Sequence, residues 1–346
     1  MKVRHLFLLM LALLLILAAC VGGGGSANPA PAPQEQEGGG DSAQNKSEEE
    51  IDLSDYFITI ATGGTSGVYY PIGGALSTLF EEELGVASSV QATGASVENV
   101  NLIDSGNAEI ALITGDTAVQ AYEGTGPFEE QGSVESVLGI AALYNNYVQI
   151  VTTEETGINT FEDLKGRKVG VGAPNSGTEL NARMMFEGHG MTYDDITPDY
   201  LSFAESVDQM KNGLVDAAIL SSGLPNSAIL DLATTHNAKL IPISDEAFDY
   251  LLNKYAFLQK SVIPAGTYGN EEDVPAFAIT NALVASSELP EEVVYLLTKT
   301  IFENLEYIHA SHNAAKDITL ETALNGLSIP LHPGAERYYK EVGLIK

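Results

Sequence analysis

The sequence predicts an α/β fold built as two similar lobes joined by extended crossings. Two Gly- and Ser/Thr-rich loops, Ala61 to Gly74 and Gly170 to Glu179, each lie between a strand pattern and a helix pattern. A second pair of matching strings follows them, and two long apolar segments sit where a hinge would cross. Free backbone N–H groups at a helix N-terminus attract carboxylate or phosphate without a basic side chain. Two such loops in one chain therefore suggest a ligand gripped between lobes.

At the N-terminus, Lys2, Arg4 and His5 precede the apolar run Leu6 to Leu17 and then Ala18-Ala19-Cys20, the order of a secretory signal. The run is short for a membrane span. Leu17-Ala18-Ala19-Cys20 resembles a bacterial lipobox, so residues 1–20 are read as a lipoprotein signal with Cys20 as the lipidated residue. Cys20 is the only cysteine, which excludes an internal disulfide. Residues 21–56, with Gly22 to Gly25, Pro29, Pro31, Pro33 and the acidic run Glu48 to Glu50, cannot bury enough apolar surface to fold and read as a tether. A formal charge of -31 argues against nucleic acid and anionic lipid surfaces as partners.

Tyr56 to Ile60 reads as a buried strand, Ala61 to Val68 as a loop, and Tyr69 to Glu82 as a helix ending near Gly85. Arg167 to Val171, Gly172 to Asn175 and Ser176 to Glu187 repeat that order, ending at Gly188. Asp104 to Thr114 then matches Lys211 to Ser221, with Gly106 against Gly213, Glu109 against Asp216 and Ala111 against Ala218. Any doubly wound chain repeats such units; two lobes of related topology are the more economical reading. Ligands of open α/β sheets lie beyond the carboxyl ends of the strands, where the hydroxyls of Thr114, Ser221 and Ser222 would gather. Leu143 to Thr153 and Ala276 to Ala285 are the expected hinge crossings, and Thr160 to Leu164 a short capped helix. Pro290 to Ala310 is expected to form one long helix packing on the first lobe. The lobes are thus placed at 57–150 plus 275–346 and at 151–274.

Ser176-Gly177-Thr178-Glu179 has capping-box spacing, in which Ser176 bonds the N–H of Glu179 and the glutamate reciprocates. A capped helix still offers other N–H groups and the Thr178 hydroxyl to a ligand. The string Gly63 to Pro71 leaves room for a ligand, Gly64 and Gly67 included, with Tyr69 and Tyr70 as walls or as ordinary core residues. Neither loop carries the Gly-Lys-Ser/Thr ending of a phosphate loop, and there is no Gly-x-Ser-x-Gly elbow. His309 and His312 beside Glu306 invite a metal reading, but without a third cluster an exposed helix face is preferred. No metal, cofactor or catalytic role is expected.

The strings Thr59 to Pro71, Gln91 to Asn99, Gly172 to Glu179, Ile263 to Tyr268 and Ile329 to Ala335 resemble the TAXI family, the solute-binding subunits of TRAP transporters. The resemblance runs from Phe57 to the C-terminus. It implies a two-lobed periplasmic-binding-protein fold (type II-like) that closes on glutamate, glutamine or a related dicarboxylate such as 2-oxoglutarate and delivers it to a TRAP permease. It also implies an extracytoplasmic location and, with the lipid anchor, attachment to the outer face of the cytoplasmic membrane; a monomer is expected. Matching positions are Thr62, Thr65, Gly67, Tyr69, Thr93, Ser96, Ser176, Gly177 and Thr178; the repeat adds Ser221. Ser66 and Asn175 depart from the pattern, each standing where glycine is common. An ABC-importer receptor, a sensor or a surface-anchored enzyme are the alternatives.

Overall fold

The computed structural model describes residues 52–346; the signal, the lipidation of Cys20 and the tether up to residue 51 lie outside them. The described residues form one compact unit. In its first part the chain runs through β1 (Phe57–Ala61), α1 (Tyr69–Leu84), β2 (Ala87–Gln91), α2 (Ser96–Asp104), β3 (Ile110–Thr114), α3 (Gly115–Glu123) and the long β4 (Val137–Thr153). A second run follows: β5 (Lys168–Gly170), α4 (Gly177–Gly188), β6 (Thr197–Asp199), α5 (Phe203–Lys211), β7 (Ala217–Ser222), α6 (Ser227–Thr235), β8 (Ala238–Leu240), α7 (Asp245–Lys254) and β9 (Gln259–Ile263). The chain returns through β10 (Val274–Ser286) and finishes in α8 (Glu291–Glu303), α9 (Leu305–His309) and α10 (Pro333–Glu341).

The strands form one sheet in the order β2-β1-β3-β10-β4-β7-β5-β6, with β8 on β4 and β9 on β10. Read outward from the centre, β3-β1-β2 and β7-β5-β6 are the same parallel unit used twice. The centre is the antiparallel pair β10 and β4, matched from Val137 opposite Ser286 to Tyr147 opposite Ala278. β3 lies along the Asn281–Ala285 stretch of β10, and β7 along the Tyr147–Thr152 stretch of β4. Each half of the sheet thus hangs from a different stretch of the same two strands. The core divides in the same way. In the first half, Ile60, Ile72, Phe80 and Leu297 fill one cluster and Val100, Ile113 and Val284 another. In the second half, Val169, Met185 and Phe248 fill one cluster and Val207, Leu220 and Ile229 another.

The repeat between Glu109 and Asp216 has a shared physical role. Glu109 accepts the N–H of Thr59 in β1 at 2.7 Å, and Asp216 accepts the N–H of Lys168 in β5 at 2.9 Å. Each carboxylate satisfies a strand donor next to the helix-to-strand turn made by Gly106 or Gly213, whose φ values are 68° and 67°. That combination needs an acid and a left-handed residue three positions apart, which is why the string recurs.

The expected helix from Pro290 to Ala310 is two helices. Asn304 interrupts them because its side-chain amide donates to the carbonyl of Thr300 at 2.9 Å and so competes with the next helical turn. The segment at Thr160 to Leu164 contains a single 3-10 turn at Glu162–Leu164, with the Asp163 carboxylate accepting the N–H groups of Asn159 and Thr160. Among the described residues no helix is long and apolar enough to cross a membrane.

A Glu109→Ala substitution removes a charge-assisted bond to a strand N–H and is expected to cost about 1.5 to 3 kcal/mol. Chemical denaturation of the variant checks this; a midpoint equal to that of the unsubstituted protein would refute the bracing role.

Candidate functional site

Five helices begin at one cavity. Val68 and Tyr69 open α1, Ala95 and Ser96 open α2, Thr114 precedes α3, Ser176 to Thr178 open α4, and Ser202 and Phe203 open α5; all line the same cavity of about 60 Å³. The entries to α1, α2 and α3 have no side-chain cap, so their first N–H groups are not satisfied by capping side chains. None of the described residues lining the cavity carries a charge. The cavity is therefore electropositive through backbone dipoles alone, in a chain whose net charge is strongly negative.

Two hydroxyls at the cavity have no partner. Tyr144 in β4 is 1% exposed and Ser221 in β7 is 5% exposed, yet neither Tyr144 Oη nor Ser221 Oγ makes a hydrogen bond within the protein. A buried polar group left unpaired costs about 1 to 3 kcal/mol, so both are poised for a bound group. Burial pushes the Tyr144 phenol well above its ordinary value, which keeps it a hydrogen-bond donor.

The remaining wall is fixed from within. Tyr69 donates to Asn281 Oδ1 at 2.6 Å, and the Asn281 amide donates to the carbonyl of Tyr144 at 2.9 Å and to Asn146 Oδ1 at 3.0 Å. Asn281 sits at a bulge in β10, between Thr280 and Ala282, and so turns its side chain toward the cavity floor. Thr93 Oγ1 lies 2.6 Å from Asn99 Oδ1 and accepts the N–H of Ala95 at 3.0 Å; Ser96 Oγ accepts the N–H of Thr114 at 3.1 Å.

Of the residues singled out from sequence, Gly64, Gly67, Tyr69, Thr93, Ser96, Ser176, Gly177, Thr178 and Ser221 meet at this cavity. Thr62 and Thr65 do not line it. Thr62 is fully buried, donates its hydroxyl to the carbonyl of Gln91 at 2.7 Å and packs its methyl over Gly73, where a Cβ would lie 2.4 Å away. Thr65 is exposed at the tip of a turn closed by the Gly67 N–H on Gly64. The capping box is only half formed: Ser176 accepts the N–H of Glu179 at 3.1 Å, but the Glu179 carboxylate pairs with Arg183, one turn on, at 2.7 Å. Sequence reasoning missed Tyr144, Asn146 and Phe203. The first two occupy alternate positions of one strand and so share a face, which was the available signal.

The halves touch across the cavity. The Ser66 carbonyl accepts from Asn226 Nδ2 at 3.3 Å and Ser227 Oγ at 2.9 Å, and the Glu98 N–H donates to the carbonyl of Asn175 at 3.1 Å. A Cβ on Gly177 would lie 2.7 Å from Thr114 Oγ1, so that approach needs glycine. Ser66 and Asn175 enter these contacts through their backbone carbonyls. Asn175 holds a φ of 58°, the conformation glycine adopts freely and asparagine tolerates.

His309 Nε2 lies 2.8 Å from the carbonyl of Ile318, and His312 accepts the N–H of Ala314 at 3.0 Å. Among the described residues no group of three metal-ligating side chains is found.

Asn175→Gly should retain full stability, whereas Asn175→Ala should lose about 1 to 2 kcal/mol because a Cβ without a polar group to bond the local backbone is penalised at positive φ. Denaturant midpoints of the two variants test this, and equal midpoints would refute it.

One solved structure shares the architecture. PhnD1 from Prochlorococcus marinus, in complex with methylphosphonate, aligns with a TM-score of 0.51 at 12% identity over 84% of this chain and 99% of its own. The periplasmic aliphatic sulphonate binding protein SsuA from Escherichia coli aligns at 0.43, with 15% identity over 82% and 78%. A substrate binding protein of an ABC uptake transporter from Streptococcus pneumoniae, with bound histidine, aligns at 0.47, with 15% identity over 79% and 96%. The fold is the two-lobed periplasmic-binding-protein fold. A family model matches residues 60–343, and the chain belongs to the NMT1-like family.

Proposed function

We propose that the protein is an extracytoplasmic receptor that binds a small carboxylated solute in the cavity and hands it to a TRAP permease. The observation that carries this reading is the meeting of five helix N-termini around an uncharged cavity that also holds two unpartnered hydroxyls. The solute carboxylate would accept from the first N–H groups of α4 and the Thr178 hydroxyl, and its other end from Tyr144 and Ser221. Residues 57–150 and 275–346 would form one lobe and 151–274 the other, hinged on β4 and β10. The TRAP assignment rests on the TAXI-like strings, and a lipid on Cys20 would hold the protein at the outer face of the cytoplasmic membrane.

Asp116 and Glu179 do not line the cavity, so a cationic amine would meet no counter-charge there. Among glutamate, glutamine and 2-oxoglutarate, this favours the oxo acid. A second reading, a receptor for an ABC importer, takes a phosphonate or sulphonate in the same cavity, and the likeness in fold to PhnD1 with methylphosphonate makes it worth an arm of the test.

A thermal-shift screen of the full chain against amino acids, dicarboxylates, 2-oxo acids, phosphonates, sulphonates and sugars distinguishes these. A ligand at one hundred times its dissociation constant adds about 2.7 kcal/mol of stability. A shift with 2-oxoglutarate exceeding that with glutamate is expected; a shift with sugars alone would overturn the carboxylate site.

Tyr144→Phe and Ser221→Ala remove hydroxyls that bond nothing in the protein. Each should leave the unliganded melting temperature unchanged or slightly raised while weakening solute binding about tenfold. Loss of stability without loss of affinity would assign both residues to the core instead.

A further inference from the structure

Asp116 and Asn181 face one another across the two halves of the sheet. Asp116 stands in the first turn of α3 and Asn181 in α4, and both are completely buried. Asn181 Nδ2 donates to Asp116 Oδ2 at 2.9 Å, while the other oxygen of each side chain, Asp116 Oδ1 and Asn181 Oδ1, has no hydrogen-bond partner. Two acceptors left over beside one shared bond are a deficit of a single donor. A proton on Asp116 Oδ1 would supply it: the carboxyl O–H would donate to Asn181 Oδ1, so that acid and amide exchange two hydrogen bonds.

We infer that Asp116 and Asn181 form a proton-binding latch, in which closing the two lobes takes up one proton on Asp116. The inference rests on the closing-receptor reading above. Opening the lobes would return Asp116 to water as an ordinary carboxylate. In the closed arrangement burial is the main cause that raises its pKa, opposed in part by the bond from the Asn181 amide. The titratable groups on the surrounding helices do not supply the missing donor. Tyr69 on α1 donates to Asn281, Glu98 on α2 accepts from the Gly94 N–H at 2.7 Å, and on α4 Glu179 is paired with Arg183. β3 and β10, which pack against α3, carry no titratable residue.

The sign follows from linkage. With its pKa raised by closure, Asp116 favours the closed form fully below the open-state carboxylate value, and that contribution is lost as pH rises through the closed-state value. Between the two values solute affinity falls tenfold per pH unit, and it is level on either side. A cell surface that becomes acidic would therefore load its solute more tightly.

The test compares the full chain with Asp116→Asn, whose amide can exchange the same two bonds with Asn181 without a proton. Affinities for 2-oxoglutarate and L-glutamate are measured by calorimetry from pH 4 to pH 8, and the ratio of variant to unsubstituted affinity cancels the ligand's own titration. The expected result is a ratio near one at low pH that rises at least tenfold toward pH 8. A ratio that does not change with pH overturns the latch. If neither probe binds, the carboxylate reading fails separately, and the latch is read from the shape of the unliganded chain by small-angle X-ray scattering from pH 4 to pH 8. There the unsubstituted protein should shift toward the more open form as pH rises while Asp116→Asn does not, and the same pH response in both overturns the latch.

Discussion

The antiparallel pairing of β4 with β10 is the constraint on which everything else depends. These two strands alone belong to both halves of the sheet, and each half hangs its parallel unit from one of them. Their central position also fixes where a cavity can form. The parallel strands β3 and β7 end at Thr114, opposite the bulge residue Asn281, and at Ser222, opposite Tyr147, and the helices that follow parallel strands start from that side. The dipoles of those helices therefore point at one place. A cavity of uncharged residues ringed by helix N-termini is a consequence of topology here.

Around that centre, stability and binding are handled by different side chains. Tyr69, Asn281, Asn146, Thr93, Asn99 and Ser96 exhaust much of their bonding capacity on one another and on strand carbonyls, which holds the wall rigid. Tyr144 and Ser221 are left out of this network although they are equally buried. The difference separates residues that shape the cavity from those able to meet a ligand. These two hydroxyls bond nothing in the protein.

The cross-cleft contacts are mostly neutral and mostly backbone: the carbonyls of Ser66 and Asn175 and the bare α-carbon of Gly177. Such contacts are weak individually and permit reopening. Asp116 is the exception, a fully buried acid that meets Asn181 at the junction.

The sequence by itself determined the repeated strand-loop-helix order, the two long crossings and most of the cavity wall. Those features are local: apolar alternation, glycine at a fixed offset from an acid, and small residues where a helix starts all leave a mark within a dozen positions. The break at Asn304 was also local, but it depended on a side chain competing with its own helix, which periodicity does not record. Only the tertiary structure decided that Thr62 spends its hydroxyl on β2, that Glu179 turns to Arg183, and that Asp116 meets Asn181. Each of those outcomes depends on which donors and acceptors are brought together from distant parts of the chain, or on a choice between two partners equally near in sequence. Tyr144 shows the limit most clearly. In the sequence it is one more aromatic residue in a buried strand, and its significance is the absence of a partner, which exists only once every neighbour has been placed.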